Sequence, residues 1–309
     1  MRRWIWPAII IVIGVAAILA VGDVRQLRDR LAGFEWWAFG ACLGLALANY
    51  GIRFFRWQMY LRYQRVAVPI GSSVLVFGAG LSLSITPAKL GELVKSYLLR
   101  ELDDVPATQT APIVVAERVT DLIALVLLAV VGVAVYGVET TLVVIAGALI
   151  LLGLVLLAWP RPTRALIDLV TRPTLTRRFR QSLHDVYTGL ATLCRPAPLL
   201  AATAIAIPAW ACECVGFALI VGAFPGAHVE LGLAMVIYAT TTIAGALSFL
   251  PGGLGVTEGA MTMLLVSSQI DHATALDATL LTRLATLWFA VVLGLGFLAI
   301  ARARIARRA

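Results

Sequence analysis

Charge is scarce in this chain: only 14% of its 309 residues are Asp, Glu, Lys or Arg, where a soluble domain carries about a quarter. Hydrophobic residues make up 61%, against roughly 45–50% in soluble domains. That balance excludes an ordinary soluble fold and indicates an integral membrane protein. Histidine is thin as well, with His184, His228 and His272 far apart in or beside loops. The four cysteines, Cys42, Cys194, Cys212 and Cys214, form no CxxC pair and have no histidine companions at metal spacing. On a helix, Cys212 and Cys214 would point their sulfurs to different sides. Small buried side chains are the expected role, and neither metal nor cofactor is expected. GELVKSY lacks the GxxxxGK[ST] spacing of a phosphate loop, so direct ATP use is not supported. No Ser-His or Cys-His pairing suggests a hydrolytic nucleophile. The net charge of +8 comes from basic residues gathered in loops beside apolar runs, which favours anionic lipid headgroups over nucleic acid as partner.

What stands out against the apolar background is Ser248 to Glu258, SFLPGGLGVTE. Proline removes a backbone donor and glycine destabilises helix, so Pro251, Gly252, Gly253 and Gly255 should break a helix where the surroundings are too apolar for a surface loop. Broken backbone at membrane depth is tolerated only where protein buries it or where it lines a cavity. A second stretch, SITPAKLGE from Ser84 to Glu92, reads similarly. At an offset of 164, Ser84, Pro87, Leu90 and Gly91 match Ser248, Pro251, Leu254 and Gly255.

In chain order, Trp4 to Val21 is apolar behind Arg2 and Arg3; with no small-residue cleavage site before Asp23, it is expected to be a retained first span. Trp36 to about Ile52 is a second, with Trp36 and Trp37 in an interfacial belt. Arg53, Arg56, Arg62 and Arg65, interleaved with Phe54, Phe55, Trp57, Tyr60 and Tyr63, read as the cytoplasmic headgroup layer. Gly71 to Thr86 is short for a crossing, and AKLGELVKSYLLRELDD after Pro87 is helical by its Leu90, Leu93, Val94, Tyr97, Leu98 spacing, so a re-entrant hairpin is predicted. Pro112 to Tyr136 and Leu142 to Trp159 are spans. The basic insertion 160–196 suits an amphipathic helix, roughly Leu175 to Leu193, on an anionic leaflet. Leu199 to Ala223 spans, Glu230 to Ser268 makes a second broken hairpin, and Leu276 to about Ile300 is the last span.

Counting Lys and Arg in the loops with both termini cytoplasmic gives seventeen inside against three outside. The predicted fold is therefore an all-α polytopic membrane protein with about six full spans and two re-entrant helical hairpins. Residues 1–138 and 139–309 form two inverted-topology repeats of a single transmembrane domain. Arg118 and Arg283, at an offset of 165, stand early in the span after each hairpin. Inverted halves with interrupted segments at matching positions point to a transporter's midplane site.

Charged side chains in the membrane are costly, so each is a functional candidate. The substrate-site candidates are Lys89, Glu92, Lys95, Glu117, Arg118, Asp121, Glu258 and Arg283, with Glu213 a further carboxylate inside a span. Pro87, Gly91, Pro251, Gly252, Gly253 and Gly255 would form the tips. A re-entrant helix whose N-terminus sits at such a break offers unpaired N–H groups and a positive dipole end, suited to an anion. Two hairpins meeting tip to tip near Arg118 and Arg283 would make a cavity for a phosphate headgroup. Glu92 and Glu258 would pair those arginines, bind a cationic group or carry protons.

PAKLGELVKSYLL, ERVTDLIAL and LPGGLGVTEGAM together resemble the transmembrane flippase region of lysylphosphatidylglycerol synthases and its stand-alone relatives. Pro87, Gly91 and Glu92 match the first motif, Glu117, Arg118 and Asp121 the second, and Pro251, Gly252, Gly253, Gly255 and Glu258 the third. The resemblance implies translocation of a phosphate-bearing lipid between leaflets of a bacterial or archaeal inner membrane: aminoacylated phosphatidylglycerol, a polyprenyl-phosphate-linked lipid or a hopanoid-related one. The aminoacyl-transferase domain of the longer synthases has no counterpart here, so enzyme activity is not expected. The rival expectations are an intramembrane enzyme acting on a lipid headgroup, and a scaffold that recruits a lipid-modifying enzyme through the basic insertion.

Overall fold

The structure is a computed structural model and describes residues 31–136 and 141–307. The span expected over Trp4–Val21 lies outside them. Every regular element among the described residues is helical: α1 (Trp36–Tyr63), α2 (Ile70–Leu81), α3 (Val94–Asp103), α4 (Ala107–Tyr136), α5 (Thr141–Ala158), α6 (Pro160–Val170), α7 (Arg180–Leu193), α8 (Pro196–Gly222), α9 (Leu231–Leu247), α10 (Val256–Ser267), α11 (His272–Arg283) and α12 (Phe289–Ala306). A π turn, Leu284–Trp288, joins α11 to α12 without ending the helix. By length and apolarity α1, α8 and the continuous run His272–Ala306 could each cross a membrane, and α5 with α6 forms a pair bent by 93°. The bend falls where Pro160 follows Trp159, the position at which proline disfavours continued helix.

Between α5 and α8, α6, the single helical turn Thr174–Arg177 and α7 stand where one helix was expected. Asp168 on α6 accepts a hydrogen bond from Arg180 Nε at 2.8 Å and meets His184 Nε2 at 2.8 Å, clipping α6 to α7. The hydrogen bond from Arg180, then that from His184, holds the exposed Asp168 carboxyl below its ordinary pKa. The α7 helix packs on α4, with Gln64 Nε2 donating to the Gly189 carbonyl at 3.0 Å and Tyr187 Oη to the Leu157 carbonyl at 3.1 Å. The close approach needs glycine, since a Cβ at Gly189 would come within 2.7 Å of the Pro112 ring.

The two predicted breaks are present. After the 12-residue α2, Ser82 Oγ turns back onto the Ala79 carbonyl at 2.6 Å, and Pro87 holds Thr86 extended. Pro87–Leu93 is then a 3₁₀ segment, and the α-helix predicted across it begins only at Val94. The cause is local: Gly91 N–H donates to Thr86 Oγ1 at 2.7 Å, and a Cβ at Gly91 would lie 2.6 Å from Leu83 Cβ. In the second break, after the 17-residue α9, Gly252, Gly253 and Gly255 take φ of 61°, 66° and 84°, the left-handed region that glycine enters without strain. Phe249 shares that region at φ 54° and is exposed, a strained position for a bulky residue.

The breaks touch each other. Ile85 packs beside Gly252 and joins Trp288 and Val291 in a small apolar cluster. Around them α8 runs along α1, α9 packs on α4, and α12 packs on α2. The last contact depends on Gly294, where a Cβ would overlap the backbone of Leu81 and Ser82. Backbone cannot rotate aside as a side chain can, so Gly294→Ala should destabilise by about 1–3 kcal/mol. Thermal melting in detergent tests this, and an unchanged Tm would refute the contact.

Candidate functional site

Two large apolar clusters meet where α1 and α4 carry their charges. On α4 one cluster takes Ile113 and Ala116 and the other takes Ala124 to Ala129, leaving Glu117–Asp121 between them. Arg53, Arg56, Lys95, Glu92, Glu117 and Asp121 are all buried there, and buried ionic groups need partners of opposite charge. Glu92 is the hub, contacted by Lys95 Nζ at 3.2 Å, Arg118 Nη2 at 3.1 Å and Arg53 Nη2 at 3.6 Å. Ser84 Oγ adds a hydrogen bond at 3.4 Å. Lys95 also reaches Glu117 at 2.5 Å, with the faces of Trp57 and Phe77 at 4.8 and 5.6 Å from its ammonium. Asp121 pairs with Arg56 at 2.7 Å and Arg118 at 3.1 Å, and Trp210 Nε1 donates to it at 3.2 Å.

The second half supplies a smaller set. Arg283 Nε donates to Glu258 Oε1 at 2.6 Å and its Nη2 to the Gly252 carbonyl at 2.6 Å. Glu258 in turn accepts the Gly255 N–H at 2.7 Å. This alters the expectation for the α10 N-terminus, because that helix end already receives a carboxylate from its own chain. The π turn one residue after Arg283 frees main-chain groups from the regular ladder, and Tyr50 Oη donates to the Thr286 carbonyl there at 2.9 Å.

Both sets border one cavity of about 400 Å³, lined by Arg53, Arg118, Asp121, Glu213 and Arg283 together with Ser84 and Thr86 of the first break and Phe249, Leu250, Gly252 and Gly253 of the second. Apolar walls from Val114, Leu122, Leu125, Leu247 and Leu287 complete it. Arg118 is the most open of the paired cations of the first cluster, its side chain 22% exposed against 0–6% for Arg53, Arg56 and Lys95. It faces the cavity, whereas Lys95 and Glu117 are sealed behind it.

Most of the residues singled out in the sequence therefore converge. Glu92, Lys95, Glu117, Arg118 and Asp121 share one network, and Glu258 and Arg283 form the other; of Lys89 only the backbone, in the 3₁₀ segment, is described. Arg53 and Arg56 are the correction. Read as headgroup-layer cations, they are instead buried in the same network, because α1 continues unbroken to Tyr63 and its charged turn lies inside the protein. The available signal was the helical spacing of Asn49, Tyr50, Arg53, Arg56, Trp57 and Tyr60, which puts the arginines on the face that carries the buried polar and aromatic groups.

Such a fold and site define a multi-pass membrane protein with an ion-paired cavity between two broken helices. The chain belongs to the family described as the lysylphosphatidylglycerol synthase TM region, whose model matches residues 4–294. A curated relative, a UPF0104 membrane protein of Methanothermobacter thermautotrophicus, is 25% identical over 93% of this chain and 93% of its own.

Proposed function

We propose that this protein carries a phosphate-bearing lipid between the leaflets of a bacterial or archaeal inner membrane, its headgroup passing through the cavity while the tails stay in the bilayer. The cavity carries this reading. It is ringed by guanidinium groups, bordered by both helix breaks and walled by apolar side chains, which is the chemistry a phosphodiester with attached hydrocarbon requires. The family membership supports a role in lipid metabolism.

We read α2–α3 and α9–α10 as re-entrant hairpins of two inverted halves, 1–138 and 139–309, with both termini cytoplasmic. Matching contacts support the halves: α4 packs on α9 of the other half as α12 packs on α2, and the two breaks meet each other. The 93° bend into the arginine-bearing α6 supports a cytoplasmic surface at that level. The cargo class spans aminoacylated phosphatidylglycerol, polyprenyl-phosphate-linked and hopanoid-related lipids.

Mass spectrometry of lipids that survive purification tests the site. Wild type should retain a phosphate-bearing lipid that Arg118→Ala loses by roughly ten- to a hundredfold, the worth of one charge-assisted hydrogen bond. The variant should still fold, since Glu92 keeps Lys95 and Asp121 keeps Arg56. Equal bulk lipid in both proteins would remove the headgroup site. A chemically altered lipid would favour an intramembrane enzyme, and insensitivity to Arg118 with dependence on residues 160–196 would favour a scaffold for a lipid-modifying enzyme.

A further inference from the structure

Glu213, which lines the cavity, is unlike the carboxylates of the two ion-paired sets. Glu92, Glu117, Asp121 and Glu258 are each ion-paired. Glu213, on α8 beyond Pro208, accepts a hydrogen bond from Tyr238 Oη at 2.6 Å, and among the described residues no cation lies within ion-pair distance of it. The groups that face it from neighbouring elements are Cys42, Tyr50 and Arg53 on α1, Tyr238 on α9, Arg118 and Asp121 on α4, and Arg283 on α11. Cys212 and Cys214 flank it on its own helix, and Asp277 of α11 is buried with a partner of its own.

The charges around the cavity then carry an argument. Among the described side chains, five cations, Arg53, Arg56, Lys95, Arg118 and Arg283, are held against the four paired carboxylates. That set carries one positive charge in excess. Ionised Glu213 cancels it when the cavity is empty; neutral Glu213 leaves it for one anion. A phosphodiester in the same cavity repels the Glu213 carboxylate and so favours its protonation, and by linkage the proton favours the anion.

On the transport reading above, we infer that Glu213 is the proton-coupling group and that the lipid anion and one proton cross together without net charge. On one side Glu213 takes up a proton as the phosphodiester enters; on the other it releases that proton as the headgroup leaves. Protonated, Glu213 no longer needs the Tyr238 hydroxyl, which lines the same cavity as Thr286. Thr286 lies in the π turn beside Arg283, the residue that holds the second tip. Proton binding is thereby joined to the broken helix.

The test uses vesicles containing the full chain and acyl-labelled fluorescent phosphatidylglycerol, with leaflet distribution read by dithionite quenching. A gradient of about one pH unit should enrich the lipid in the leaflet facing the alkaline side by up to about tenfold in wild type, and leave it even in Glu213→Gln. Independently, adding unlabelled short-chain phosphatidylglycerol to detergent-purified protein in weak buffer should take up about one proton per bound lipid in wild type and none in Glu213→Gln. Tyr238→Phe should keep the uptake, since it removes a hydrogen-bond donor and leaves the Glu213 carboxyl in place. Translocation without enrichment or proton uptake would overturn the coupling and leave transport standing. If wild type translocates nothing, transport of this lipid fails; proton uptake on binding would then uphold Glu213 as the linked group, and its absence would overturn that too.

Discussion

Lys95→Met should be the most destabilising single substitution in the charged network, costing about 3–5 kcal/mol, the usual effect of removing one partner from a buried ion pair. Lys95 and Glu117 are both fully buried and 2.5 Å apart, and the other Glu117 oxygen has no hydrogen-bond partner among the described residues. Methionine fills the same channel between Trp57 and Phe77 but leaves Glu117 as an uncompensated charge. Glu92 suffers less, because Arg118 and Arg53 remain beside it. The double variant Lys95→Met with Glu117→Gln should recover most of the loss, since it removes the orphaned charge as well as its partner. Melting curves of the four proteins in detergent would measure this cycle. A Lys95→Met protein as stable as wild type would mean that the pair contributes nothing to folding.

Arg283→Ala should have the opposite profile, with a small loss of stability and a large loss of transport. Its guanidinium joins the two sides of the second break, the Gly252 carbonyl before it and Glu258 after it. Gly252 lines the cavity and the Glu258 side chain is 17% exposed, so both partners can be rehydrated and the fold survives. The tip, however, loses both of its charge-assisted hydrogen bonds, and the rate of fluorescent phosphatidylglycerol translocation should fall at least tenfold, about 1.4 kcal/mol on the barrier. Arg283→Lys should restore little of it, because a single ammonium cannot reproduce a planar fork that serves a carboxylate and a carbonyl at once. Translocation at the wild-type rate in Arg283→Ala would sink the idea that the clamped tip matters to transport.

The positions of the breaks were legible in the chain because proline and glycine act locally. Pro87 and Pro251 restrict the residue before them, and Gly252, Gly253 and Gly255 take up the left-handed backbone wherever they are put. The extents of the helices between them were less so. The 3₁₀ segment Pro87–Leu93 depends on Thr86 Oγ1 and on how closely Gly91 meets Leu83, neither of which the Leu90, Leu93, Val94 spacing encodes. Likewise α7 was recognisable as amphipathic, yet nothing in its pattern showed that part of its surface would be covered by α4. Periodicity marks a face and is silent about what that face meets.

By itself the sequence determined that this is a multi-pass helical protein, where its helices break, and which charged residues lie among apolar ones. Those properties are set residue by residue, through transfer cost and backbone freedom. Only the tertiary structure decided which charge meets which. Arg53 and Arg56, placed by sequence with the headgroups, are brought against Glu92 and Asp121, and Glu213 is held by the Tyr238 hydroxyl with no cation at ion-pair distance among the described residues. Pairings between residues this far apart in the chain follow from how α1, α4, α8 and α9 pack side by side, because an ion pair forms only where that packing brings two groups within reach and shuts out the water that would otherwise screen them.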